Sequence, residues 1–164
     1  GKEVEQFEII YKKYYKKLYL FLLRLSGDKN LAEELTQETL YAAFLHMEQY
    51  EGRSTIFTWL CQIAKNNWLK EVSRNNRLQK TDKLKEQDSG YNLEKEVEKN
   101  QMLSVMRKEM MQLPEPYMSV CELRIYAELS YAEIAAEFNK SESWAKVTFF
   151  RGKTMLIERM EKYR

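Results

Sequence analysis

Histidine is nearly absent from this sequence. His46 stands alone, with no serine, cysteine or carboxylate grouped around it in a pattern that supports nucleophilic or acid–base chemistry. Cysteine is as sparse: Cys61 and Cys121 lie far apart, each within a helical pattern, without the clustering of a zinc site or a disulfide framework. They read as two small buried hydrophobes in a reduced compartment. These absences lead us to expect no enzyme, no cofactor and no metal. Two prolines and five glycines leave little punctuation for turns, so long helices are the natural consequence. No apolar run is longer than a few residues, which excludes a transmembrane helix, and the first residues lack a basic-then-apolar leader pattern. The expected compartment is the cytoplasm.

What is present is charge and apolar surface in globular proportion, at 32% and 44% of 164 residues, enough for one domain or two small ones. The net charge of +2 says little about partners, but its distribution says more. Residues 65–80 carry Lys65, Lys70, Arg74, Arg77 and Lys80 against Glu71, and residues 140–153 carry Lys140, Lys146, Arg151 and Lys153 against Glu142. Phosphates feel such local stripes within a Debye length of about 10 Å.

Apolar periodicity predicts the helices. Phe7, Ile10, Tyr11, Tyr14, Leu18, Phe21, Leu22 and Leu25 define a first, with Gly27 suited to its left-handed stop and Asp28 or Asn30 to the next cap. The second, about Leu31 to Tyr50, puts Glu33, Glu34, Gln37, Glu38 and Tyr41 on one side. An acidic first turn offsets the helix dipole, yet the last three lie beyond it, so a docking surface for a basic partner is equally consistent. After the Tyr50-Glu51-Gly52-Arg53-Ser54 loop, a third helix from Thr55 to about Arg77 sets Lys65, Asn66, Lys70 and Arg74 beside Trp59 and Trp68. Rings next to cations can stack unpaired bases; packing in the core is the alternative for both tryptophans. Residues 78–92 have almost no apolar side chains and read as a flexible linker. The expected fold is therefore all-α, two small helical domains at 1–77 and 93–164. Leu93, Val97, Leu103, Met106, Met110 and Leu113 form an amphipathic stripe, Leu113-Pro114 breaks it, and a further helix runs from Tyr117 to Ala127.

Residues 129–156 read as a helix-turn-helix. Ser130 and Glu133 have capping-box spacing, Asn139 and Lys140 break the pattern, and Ser141 can cap a second helix. On that helix Ala145, Phe149, Gly152 and Leu156 share one face, while Ser143, Trp144, Val147, Arg151 and Thr154 share the other, the geometry for setting a helix in the major groove.

In order and spacing these segments resemble one family, the bacterial extracytoplasmic-function sigma factors of the sigma-70 group. Leu31 to Leu40 is similar to its clamp-binding segment, Gly52 to Leu60 with Ile63-Ala64-Lys65-Asn66 to its promoter-melting segment, and Leu113-Pro114 with Leu129 to Ala135 to the entry of its terminal DNA-reading domain. The resemblance implies a sigma domain 2 bundle at 1–77 and a sigma domain 4 helix-turn-helix at 93–164. It implies that Glu33, Glu34, Gln37, Glu38 and Tyr41 meet the β′ clamp helices of core RNA polymerase, with a further contact to its β flap. It assigns Tyr50, Glu51, Gly52, Arg53, Ser54, Trp59, Lys65, Asn66, Lys70 and Arg74 to the −10 element. It assigns Ser141, Ser143, Trp144, Lys146, Val147, Thr148 and Arg151 to the −35 element. An anti-sigma factor and a stress or envelope response also follow from it. The chain departs from the family at Trp144 and Thr148, usually small and basic, and at Gly152, usually alanine, where glycine permits a close helix approach. Two rivals remain: a stand-alone helix-turn-helix regulator of duplex DNA, and a helical adaptor that binds only protein.

Overall fold

The computed structural model describes residues 1–81 and 94–164, with the side chains of 79–81 and 94–100 left aside. Among the described residues there are seven α-helices and no strand.

The N-terminal half is three helices. Helix α1 (Lys2–Ser26) buries Leu18, Phe21, Leu22 and Leu25 and stops at Gly27 (φ 71°), whose N–H bonds Leu23 O at 2.7 Å. Helix α2 (Lys29–Leu45) starts where the Asp28 side chain accepts from Leu31 N at 3.1 Å. It ends earlier than its pattern predicts: residues Met47–Gln49 tighten into a 3₁₀ turn and leave Tyr50 extended. Helix α3 (Ile56–Thr81) is capped by Thr55, whose Oγ1 accepts from Thr58 N at 3.2 Å, and buries Phe57, Leu60, Cys61, Ala64 and Trp68. It runs past Arg77 because Leu78, Gln79 and Lys80 are all good helix formers. The rest of the expected linker, 82–92, and the side chains of Leu93 and Val97 lie outside the described residues.

The C-terminal half comprises α4 (Glu94–Met110), α5 (Tyr117–Cys121, continuing as a π-helical turn Glu122–Tyr126), α6 (Tyr131–Phe138) and α7 (Glu142–Met160). Met110, Leu113, Val120, Leu123, Ile134, Ala145 and Leu156 make its core, whereas Leu103 of the predicted stripe is exposed. Glu109 ties α4 to the end of α7. Its buried carboxylate accepts from Arg159 Nε at 2.9 Å and Tyr163 OH at 2.6 Å, with Lys162 Nζ at 3.4 Å. The Tyr163 hydroxyl, with Lys162 and Arg159, holds the Glu109 carboxyl below its ordinary range against the effect of burial.

Both cysteines are free and buried, and desolvation raises both thiols, that of Cys121 to about 12. Cys121 also explains Gly152. A Cβ at that position would stand 2.5 Å from Cys121 Sγ and 3.2 Å from Tyr117 Cβ, so α5 and α7 touch only because the side chain is missing. Gly152→Ala gains about 1 kcal/mol of helix propensity but overpacks a contact, at about 1–3 kcal/mol. We expect net destabilisation of about 1 kcal/mol by urea titration, removed in a Cys121→Ala background. A stabilised Gly152→Ala protein would contradict the close approach.

Candidate nucleic-acid interface

Three surfaces emerge from these elements. On α2, Ala32, Leu35, Thr36, Thr39, Leu40 and Ala43 face the core, which leaves Glu33, Glu34, Gln37, Glu38 and Tyr41 together on the exposed side. Gln37 lies beside Tyr15 of α1. The face is acidic and supported from behind by a fixed helix.

The second surface lies at the start of α3. Gln49, Tyr50, Glu51, Gly52, Arg53, Ser54, Trp59 and Glu137 line a cleft of about 140 Å³, near the ~150 Å³ of a cavity that admits a benzene ring. Gly52 has φ 77°, a left-handed conformation that lets the loop turn sharply. Tyr50 donates its hydroxyl to Ser54 O, and its ring lies 5.3 Å from that of Trp59 at 47°. Arg53 pairs with Glu51 at 3.3 Å. Trp59 is half-buried and lines the cleft, whereas Trp68 is core. Asn66, Lys70 and Arg74 follow as exposed residues along α3, with Arg74 bonded to Glu71 at 3.0 Å.

The third surface is α7. The capping box forms as the sequence predicts, Glu133 N to Ser130 Oγ at 3.1 Å and Ser130 N to Glu133 Oε1 at 3.0 Å. Asn139 closes α6 in the left-handed region (φ 54°), and Ser141 caps α7 by accepting from Trp144 N at 3.0 Å. Ser143, Lys146, Val147 and Arg151 are exposed.

Some residues fall elsewhere than expected. Thr148 is 5% exposed and so is not on the outward face. It stands three residues after Ala145 and four before Gly152, on the stripe that packs inward. Trp144 is half-buried, its ring 5.4 Å from Phe138, where it seals the turn between α6 and α7. Ser54 is buried and donates to Glu137 Oε1 at 3.4 Å. Lys65 is 5% exposed, not on the basic flank of α3. Its ammonium donates to Ser119 Oγ and lies 3.8 Å from Glu122 Oε1, while Ser119 N and Oγ both donate to Glu115, the N–H at 2.8 Å. Sequence reasoning missed Glu122 and Glu137, and left Phe150 and Lys153 out of the α7 set. Phe150 is 67% exposed with Lys153 Nζ 5.9 Å from its ring centre, and its four-residue step from Lys146 was the available signal.

A helical bundle with an acidic face and an aromatic cleft, followed by a capped helix-turn-helix, has the architecture of an all-α protein of the DNA-binding helix-turn-helix class that carries more than one contact surface. Sequence comparison makes the class specific. Sigma-70 region 2 matches residues 10–78 and Sigma-70, region 4 matches residues 104–156. The extracytoplasmic-function sigma factor SigM of Bacillus subtilis (strain 168) is 30% identical over 148 residues, covering 90% of each chain. The RNA polymerase sigma factor YlaC of the same organism is 29% identical over 167 residues, 99% of this chain and 96% of that one. The fold is shared with the sigma factor RpoE of Bartonella quintana bound to the anti-sigma factor NepR (TM-score 0.59, 21% identity, 98% of this chain and 99% of that one). It is shared also with CnrH bound to the cytosolic domain of CnrY (TM-score 0.62, 15% identity, 95% and 88%). The chain belongs to the extracytoplasmic-function sigma factors of the sigma-70 family. It is a promoter-directing factor of transcription initiation, and among its described residues no helix is long and apolar enough to cross a membrane.

Proposed function

We propose that the two halves divide promoter recognition between them in the cytoplasm, with core polymerase as the scaffold. The exposed α2 face, Glu33, Glu34, Gln37, Glu38 and Tyr41, meets the basic β′ clamp helices, and the C-terminal half meets the β flap. The Tyr50–Ser54 cleft with Trp59 captures a base extruded from the −10 element. Extrusion costs a few kcal/mol, recovered by pocket contacts and stacking. Asn66, Lys70 and Arg74 hold the adjoining strand. Ser141, Ser143, Lys146, Val147 and Arg151 approach the −35 major groove, and Trp144 supports that helix from the side. An anti-sigma factor is the proposed restraint, released by an envelope or other stress signal.

The observation that carries this reading is the exposed acidic side of α2. A stand-alone regulator of duplex DNA has no use for it, and an adaptor that binds only protein leaves α7 idle. Run-off transcription with purified core polymerase, on promoters drawn from the protein's own genome, is expected to give transcripts that core alone does not make. Equal transcription with and without the protein would overturn the reading.

A further inference from the structure

Helix α1 carries Lys12, Lys13, Lys16 and Lys17 and has no carboxylate between Ile9 and Ser26. All four lysines are exposed, and none pairs with an acid among the described residues. Exposed arginines elsewhere do find such partners: Arg53 pairs with Glu51 and Arg74 with Glu71. Lys12 with Lys16 and Lys13 with Lys17 are like charges four residues apart, an arrangement that destabilises a helix. They also stand at the middle of α1, out of reach of the macrodipole, whose last turn holds Arg24 alone. Cations held together at a cost to their own helix, with no acid to neutralise them, suit a polyanion.

Their position says which polyanion. Lys17 Nζ lies 4.6 Å from the centre of the Phe57 ring, and Lys13 Nζ lies 5.4 Å from that of Tyr14. The Tyr14 and Phe57 rings stack at 6.2 Å and 13°, so the lysine row borders the first turn of α3. The Tyr50–Ser54 loop enters that same turn, and Trp59 of the cleft stands just beyond Phe57. From the cleft, Asn66, Lys70 and Arg74 run toward the far end of α3, where the chain continues to the half proposed for the upstream −35 element. The α1 lysines border the opposite, starting end. A strand that has given up one base to the cleft therefore meets cations on both sides, α3 upstream and α1 downstream. Tyr14 and Phe57 are packed on one another, which leaves charge rather than stacking as what the row offers.

We propose that Lys12, Lys13, Lys16 and Lys17 form a phosphate track for single-stranded DNA, carrying the displaced non-template strand on the downstream side of the base held in the Tyr50–Ser54 cleft. Contacts of this kind go to the backbone and carry no sequence information. They favour the melted state rather than choose the promoter. The proposal rests on the −10 reading of that cleft.

Holoenzyme assembled from the full-length protein and core polymerase tests it on a fluorescein-labelled promoter fork, taken from a promoter active in the run-off assay. The fork is duplex upstream of the −10 element and continues beyond it as single non-template strand. Lys12→Gln/Lys13→Gln/Lys16→Gln/Lys17→Gln is expected to weaken binding at least about tenfold at moderate salt. Its log affinity is expected to fall less steeply with log salt, by about 1.4 to 2.8, for two to four phosphates at about 0.7 each. On a fork whose non-template strand stops directly after the −10 element, parent and variant are expected to bind equally. Arginine at the same four positions keeps the charge and is expected to keep the affinity. Circular dichroism checks the fold, and Lys13→Gln/Lys17→Gln carries the comparison if the fourfold variant loses helix. Equal affinity of a folded glutamine variant for the long fork, or an equal loss on the short one, overturns the track. Weakened binding to core, read by anisotropy, overturns it too, since the row would then face polymerase. In each of these cases transcription by the parent protein leaves the sigma reading standing. A parent that yields no transcript on any promoter removes that reading, and the track with it.

Discussion

Reversing Glu34 and Glu38 together to lysine is expected to weaken binding to core polymerase by on the order of 10²-fold at moderate salt, with helix content and thermal unfolding unchanged. Both carboxylates are exposed and four residues apart on α2, whose attachment depends on its other side, Leu35, Thr36, Thr39, Leu40 and Ala43. Replacing one like-charged pair by another alters helix stability by only about 0.2–0.5 kcal/mol. The fold is therefore insulated from the change and the docking energy is not. The deficit is expected to shrink with salt, as the Debye length falls from about 10 Å at 0.1 M to about 3 Å at 1 M. Fluorescence anisotropy of the labelled protein against core polymerase measures it. Unchanged affinity would remove α2 from the interface.

The same helix shows what the sequence made legible and why the rest was hidden. Local signals survived: the Asp28 cap, the Gly27 stop, the Ser130–Glu133 box and the alternation of acidic and apolar sides on α2 are set within a few residues of chain. Lys65 and Thr148 were misplaced for a common reason. Cys61, Ala64, Lys65 and Trp68 fall at i, i+3, i+4 and i+7, so periodicity already put Lys65 on the buried stripe. Its charge argued for solvent, because buried lysines are rare unless paired, and its partners lie 54 and 57 residues away, at Ser119 and Glu122. Thr148 likewise shares the stripe of Ala145, Gly152 and Leu156. A lysine on an apolar stripe is a signal that a partner exists; sequence spacing alone does not say which.

Glu122 carries the second large expectation, a pH dependence of stability. It is fully buried, neither carboxylate oxygen has a hydrogen-bond partner among the described residues, and the Lys65 ammonium stands 3.8 Å away. Desolvation raises its carboxyl from 4.5 to about 7; Lys65 works against that rise and Glu115 adds to it. Between these two values the folded protein keeps a proton that the unfolded chain has released, so unfolding releases protons and stability falls as pH rises. The contribution is fully present below about pH 4.5 and is lost as pH passes through about 7, for a total of about 3 kcal/mol. Glu137, also raised by burial, adds a slope of the same sign. Glu109, lowered by its donors, acts in the other direction and at lower pH, where protonation would break its network. Urea titrations at about pH 5 and about pH 8 are therefore expected to show the lower stability at the higher pH. Glu122→Gln, neutral at both, is expected to remove most of the difference. A parent protein equally stable at both pH values would mean that Lys65 fully compensates the buried charge, and the carboxylate would then be a permanent half of an ion pair.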